Sequence, residues 1–224
     1  MRRLGLFGGT FDPVHYGHLI PARVACDVLD LDALVFIPGA RPPHKLEEPL
    51  TSFMHRFAML ALATQGQERW YVSEVELGRG GPTYTIDTIA QMASRMPAEE
   101  TFFLMGSDSF AQIITWHRWA ELVDAVQLVV LHRDGPWGGE LAASVPGWLA
   151  SRIVVLEKGQ RLGTLGGEKK VFVLEHEPLP ISATRLRQAL GAGEPVTGLL
   201  PPEVERWAVK YHLYGQGDDH VDGP

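Results

Sequence analysis

The chain has 224 residues, of which 45% are hydrophobic and 21% charged, with a formal net charge of −7 and a single cysteine. Such a length and composition suit one α/β domain with a large core, and the acidic balance argues against a general nucleic-acid surface, which shows a basic stripe. One thiol rules out an internal disulfide and makes a reducing cytoplasm the expected compartment, while no stretch approaches a membrane span and Asp12 with its neighbouring glycines interrupts any leader-like apolar run.

Residues 4–7 read as a short buried strand, and Ile20, Val24, Ala25, Val28 and Leu29 recur at helical spacing, predicting a helix to about Leu31. Cys26 falls inside that pattern as a small core residue. Between strand and helix lie Gly8, Gly9, Thr10, Phe11, Asp12, Pro13, Val14, His15, Tyr16, Gly17 and His18. A strand, a glycine turn and a helix start form an anion site, because the first N–H groups of a helix lack internal partners and the dipole places roughly +0.5 charge there. Gly8 and Gly9 lack a Cβ, so a phosphate or sugar is expected to approach the backbone closely. His15 and His18, three apart with Gly17 offering no cover, are expected to aim at one polyphosphate. An HxxH pair is also a metal pattern, but no third ligand follows at a recognisable spacing, so no protein-held metal is expected. The spacing of Gly5, Gly8 and Gly9 does not make a dinucleotide fingerprint.

Residues 33–38 predict a second strand, apolar on both faces, which empties into Pro42, Pro43, His44 and Lys45. This loop is either a solvated surface or a phosphate contact; its place at a strand's C-terminal end favours the contact. Thr51 or Ser52 caps a helix carrying Met54, Phe57, Ala58, Leu60 and Ala61. Residues 70–77 read as a third strand, and a glycine-rich loop then leads to Tyr84 and Thr85. Thr85 is a plain N-cap, a ligand-facing helix start, or both. Residues 101–106 predict a fourth strand, ending at Gly106, Ser107 and Asp108. Asp108 either accepts from ribose hydroxyls or caps a short helix. Trp116 is either core or a ligand platform, and residues 125–131 predict a fifth strand.

Residues 141–150 suggest a weak helix. Residues 153–156 and 171–174 look like two strands joined by a glycine-rich turn, a flap or a long hairpin connection. Near the C-terminus, Ile181, Ser182, Thr184 and Arg187 bring hydroxyls, free N–H groups and a guanidinium to another helix start, a second anion site. That helix buries Leu186, Ala189 and Leu190 and is expected to end at Gly191. A last helix starts near Pro201 and Pro202.

The segment from Gly8 to His18 resembles the signature of the nucleotidylyltransferase superfamily, in the form found in nicotinate-nucleotide adenylyltransferases. Ile181, Ser182, Thr184 and Arg187 resemble the second signature of the same superfamily. The resemblance implies a Rossmann-like doubly wound parallel sheet with helices on both faces and a small C-terminal helical part. It suits a single nucleotidyltransferase domain over residues 1–214, with residues 215–224 as a fraying tail. It implies ATP and nicotinate mononucleotide as partners, with Mg²⁺ carried by the ATP; self-association is left open. By the same resemblance Gly8, Gly9, Thr10 and Phe11 line the nucleotides and His15 and His18 hold the ATP phosphates. Gly106 and Asp108 meet adenosine, and Ile181, Ser182, Thr184 and Arg187 contact adenine and phosphates. His44 and Lys45 flank the phosphates, Tyr84, Thr85 and Trp116 frame the nicotinate ring, and Arg133 follows the fifth strand beside the pyridine mononucleotide. His15, His18, Lys45 and Arg187 are the implied catalytic group. The alternatives are another phosphorylated acceptor, nicotinamide mononucleotide or phosphopantetheine, or a non-catalytic nucleotide sensor.

Overall fold

The computed structural model describes residues 2–40, 50–79, 81–131, 139–157, 159–174 and 179–215. Seven strands are described: β1 (Arg3–Gly9), β2 (Ala33–Pro38), β3 (Trp70–Val72), β4 (Glu100–Gly106), β5 (Gln127–Leu131), β6 (Ile153–Leu156) and β7 (Val171–Leu174). They form one all-parallel sheet in the order β3-β2-β1-β4-β5-β7-β6. The helices are α1 (Tyr16–Leu29), α2 (Phe53–Thr64), α3 (Thr85–Arg95), α4 (Ser107–Ala111), α5 (Trp119–Ala125), α6 (Gly139–Ala143), α7 (Gly147–Ala150), α8 (Ala183–Ala192) and α9 (Pro202–Lys210).

Side chains alternate across a strand, so the continuous apolar runs feed two cores at once. Phe7, Phe36, Leu104, Val129 and Phe172 pack on one face with α1, α2, α8 and α9. Leu6, Val35, Phe103, Val130 and Val173 pack on the other with α3, α4 and α5. This is the doubly wound α/β arrangement that the sequence implied. The order of strands reverses between β1 and β4, and the C-terminal ends of those strands open the crevice where such sheets bind ligands.

Several boundaries differ from the sequence reading. The first helix stops at Leu29, because Asp30 turns left-handed with φ 52° and its N–H bonds the Cys26 carbonyl. The third strand ends at Val72: Ser73 Oγ accepts the Val75 N–H at 3.2 Å and folds the chain into a turn. α8 runs on to Ala192 and ends at Gly193, whose φ of 70° supplies the left-handed cap. The hairpin reading of residues 153–174 is overturned, since β6 and β7 pair in parallel. The connecting segment crosses the sheet instead. The Leu162 N–H bonds the Val28 carbonyl at 2.8 Å, and the buried Arg3 guanidinium reaches the carbonyls of Leu29, Leu162 and Gly163. A parallel pair needs such a crossover, and here it is made without a helix.

Candidate functional site

The turn after β1 is built on Asp12. Phe11 takes a positive φ of 50° and turns its ring into the core against Phe7, His18 and Phe36, leaving only its backbone to face outward. The Asp12–Pro13 peptide bond is cis. The Asp12 carboxylate is buried; its Oδ2 accepts the Thr51 N–H at 3.1 Å and its Oδ1 accepts the Tyr214 hydroxyl at 2.9 Å. Buried Arg56 donates to the carbonyls of Thr10 and Thr51 at 2.7 and 2.8 Å. Burial lowers the Arg56 pKa and the nearby Asp12 carboxylate opposes that shift, so the guanidinium stays a cation and pins the turn.

His15 is the N-cap of α1 and His18 its N3 residue. The His18 Nδ1 accepts the His15 main-chain N–H at 3.3 Å, the N3 half of a capping box. That bond places the proton of a neutral His18 ring on Nε2. The rings lie 3.9 Å apart between centroids, His15 fully buried and His18 7% exposed. The two rings form the floor of the turn, more buried than the sequence alone indicates. The glycines also serve the protein's own packing. A Cβ at Gly8 would meet the Phe103 ring at 2.9 Å, one at Gly9 the Phe11 ring at 2.9 Å, and one at Gly17 the His15 ring at 2.9 Å. These glycines admit aromatic and imidazole rings of the protein itself.

The two sequence motifs meet. Arg187 Nη1 donates to the Asp12 carbonyl at 2.8 Å, and its Nη2 lies 3.3 Å from Thr184 Oγ1. The Cβ of Ile181 sits 3.5 Å from where a Cβ of Gly17 would be, against the His15 turn. Ser182 is the N-cap of α8 through its backbone, with no side-chain capping bond, so its hydroxyl is not spent on the cap. Thr184 is exposed on the first turn.

Gly106 caps α4 and Asp108 is exposed on its first turn, directly past the end of β4. The N-cap of α3 is Tyr84, not Thr85, which is the first helical residue. Tyr84 lies tilted against His117 at 4.2 Å between ring centroids, while Trp116 sits edge-on to Phe103, the ring that fills the space at Gly8. Tyr84, Thr85 and Trp116 thus stand beside the β1–β4 crevice on the face opposite α8. His44, Lys45 and Arg133 lie outside the described residues.

Arg56, Glu76 and Tyr214 are the site residues that sequence reasoning missed. Glu76 is buried, takes the Ala40 N–H at 3.0 Å and the Thr88 hydroxyl at 2.8 Å, and so joins the end of β2 to α3. A signal existed for Arg56. It precedes Met59 and Leu60 by three and four residues, a cation on the stripe its helix buries. Tyr214 gave none, since its partner is 202 positions away.

Residues 6–189 match the cytidylyltransferase-like family, and the chain belongs to it. A probable nicotinate-nucleotide adenylyltransferase of Pseudomonas aeruginosa is 41% identical over 214 residues, covering 95% of this chain and 97% of the relative. One of Symbiobacterium thermophilum is 35% identical over 223 residues, covering 100% of both. Within its family the chain therefore belongs with the nicotinate-nucleotide adenylyltransferases. The fold matches that of the nicotinic acid mononucleotide adenylyltransferase of Plasmodium falciparum solved with NaAD, at a TM-score of 0.71 and 17% identity over 96% of this chain and 98% of that one.

Proposed function

We propose that the chain transfers the adenylyl group of ATP to nicotinate mononucleotide, giving nicotinate adenine dinucleotide and pyrophosphate in NAD biosynthesis. The observation that carries this reading is the 2.8 Å bond from Arg187 to the Asp12 carbonyl, which brings the two anion-binding helix starts to one crevice. An oxygen of the acceptor's 5′-phosphate attacks the α-phosphorus of ATP in line. A new P–O bond forms as the bond to the β-phosphate breaks, and the electron pair leaves on pyrophosphate. The nucleophile is already an anion, so no general base is needed; the protein's task is to hold two mutually repelling polyanions together and neutralise the leaving group.

Arg187 and the N-termini of α1 and α8 supply fixed positive potential for the ATP phosphates. The polyphosphate settles on the turn that carries His15 and His18, and His18 donates from Nε2. Asp108 accepts from the ribose of ATP, Ile181 and Ser182 border the adenine, and Tyr84, Thr85 and Trp116 hold the pyridine ring with its carboxylate on main-chain N–H groups. His44, Lys45 and Arg133 complete the phosphate and acceptor contacts. ATP enters as its Mg²⁺ complex, the ion riding on the phosphates. No helix among the described residues is long and apolar enough to cross a membrane.

The test is to mix the purified chain with Mg²⁺-ATP and each of three acceptors: nicotinate mononucleotide, nicotinamide mononucleotide and phosphopantetheine. Pyrophosphate release fastest with nicotinate mononucleotide supports the reading. Release with none, or preferentially with either other acceptor, overturns it.

A further inference from the structure

Asp12 is held from three sides, and the last of these comes from the far end of the chain. Arg187 takes its carbonyl, the Thr51 N–H takes Oδ2, and the Tyr214 hydroxyl takes Oδ1. Tyr214 follows α9, whose end is closed by the Leu213 N–H bonding the Ala208 carbonyl at 3.1 Å. Its own main chain rests on α8: a Cβ at Gly191 would stand 2.2 Å from the Tyr214 carbonyl oxygen and 3.2 Å from its carbon. Only glycine leaves room for that approach. α8 therefore meets Asp12 twice, directly through Arg187 near its start and through Tyr214 near its end. Burial, then the Asp12 charge, pushes the Tyr214 phenol far above its ordinary range, which keeps it a donor.

We propose that Tyr214 is a positioning residue for adenylyl transfer: its hydroxyl fixes the Asp12 carboxylate, and with it the turn that carries His15 and His18 and the carbonyl on which Arg187 rests. Tyr214 acts only through Asp12 and touches no reacting atom. The inference rests on the reading above that Arg187 and the histidines act on the ATP phosphates.

The experiment compares Tyr214→Phe, Gly191→Ala and the wild-type full chain, by steady-state kinetics and by backbone amide hydrogen exchange. Loss of one hydrogen bond to a charged group predicts that Tyr214→Phe lowers kcat about tenfold with KM for both substrates nearly unchanged. Gly191→Ala, which displaces the same strap without touching the site, gives the same split. In both variants the amides of Thr51, of residues 10–12 and of residues 14–18 exchange faster, while the β4 and β5 amides do not change. Wild-type kcat in Tyr214→Phe overturns the proposal, as does a kcat loss matched by a uniform rise in exchange across the sheet. If the wild-type chain itself releases no pyrophosphate, the proposed function fails, and the exchange pattern alone then decides whether Tyr214 holds the turn.

Discussion

Replacing His18 by asparagine separates two jobs that one ring performs. The Nδ1 accepts the His15 N–H at 3.3 Å, and in the proposed reaction the Nε2 donates to a phosphate. An asparagine carboxamide puts an acceptor oxygen where the ring carries Nδ1 and nothing where it carries Nε2. His18→Asn therefore keeps the cap and loses the donor. His18→Ala loses both, along with ring contacts to Phe11 at 5.1 Å and His15 at 3.9 Å. The cap bond is worth about 1 kcal/mol and the ring contacts about 1–2 kcal/mol more. At about 2–4 °C per kcal/mol for a chain of this size, His18→Ala melts roughly 5–10 °C lower. Removing a donor to charge that grows in the transition state costs about 10²–10³ in kcat. Differential scanning calorimetry with pyrophosphate-release kinetics checks both numbers: His18→Asn melts close to wild type yet loses kcat as severely as His18→Ala. Wild-type turnover in His18→Asn would refute the donor role and leave His18 as a cap alone.

Trp116→Ala raises KM for nicotinate mononucleotide while leaving that for ATP unchanged, because stacking on an indole contributes about 1–3 kcal/mol; initial rates with each substrate varied in turn measure it. Arg56→Met strands the Thr10 carbonyl and removes the cation beside buried Asp12, and urea unfolding shows a loss of about 3–5 kcal/mol. The raised Tyr214 phenol contributes stability that is fully present below its ordinary value of about 10 and is lost as pH rises above it. Thermal melting from pH 9 to 12 therefore falls more steeply for wild type than for Tyr214→Phe.

The strands at residues 4–7, 33–38, 101–106 and 125–131 were legible because burial on both sheet faces leaves an unbroken apolar run. The edges were less so. Residues 73–77 kept a strand-like alternation, yet Ser73 and Glu76 are spent on hydrogen bonds that turn the chain and tie α3 to β2. Residues 153–174 look like a hairpin because two short strands are close in sequence; the contact that ties their connecting segment across the sheet comes from Arg3, more than 150 positions away. In the site, the two helix starts and their polar residues were readable from local spacing. The burial of His15 and the true occupants of the space at Gly8, Gly9 and Gly17 were not, since both depend on rings brought in by other elements. Asp12 stood in plain view within the first motif, but its partners Thr51, Arg187 and Tyr214 come from three separate segments.

A crystal structure of the chain with a non-hydrolysable ATP analogue and nicotinate mononucleotide tests the arrangement most directly. The analogue's adenosine is expected between Asp108 and residues 181–187, with its α-phosphorus over the His15–His18 turn and the acceptor's 5′-phosphate oxygen about 3–3.5 Å away in line. A nucleotide seated elsewhere, for example in the groove between Tyr16, Arg23 and Trp70, with the β1–β4 crevice empty, would contradict it.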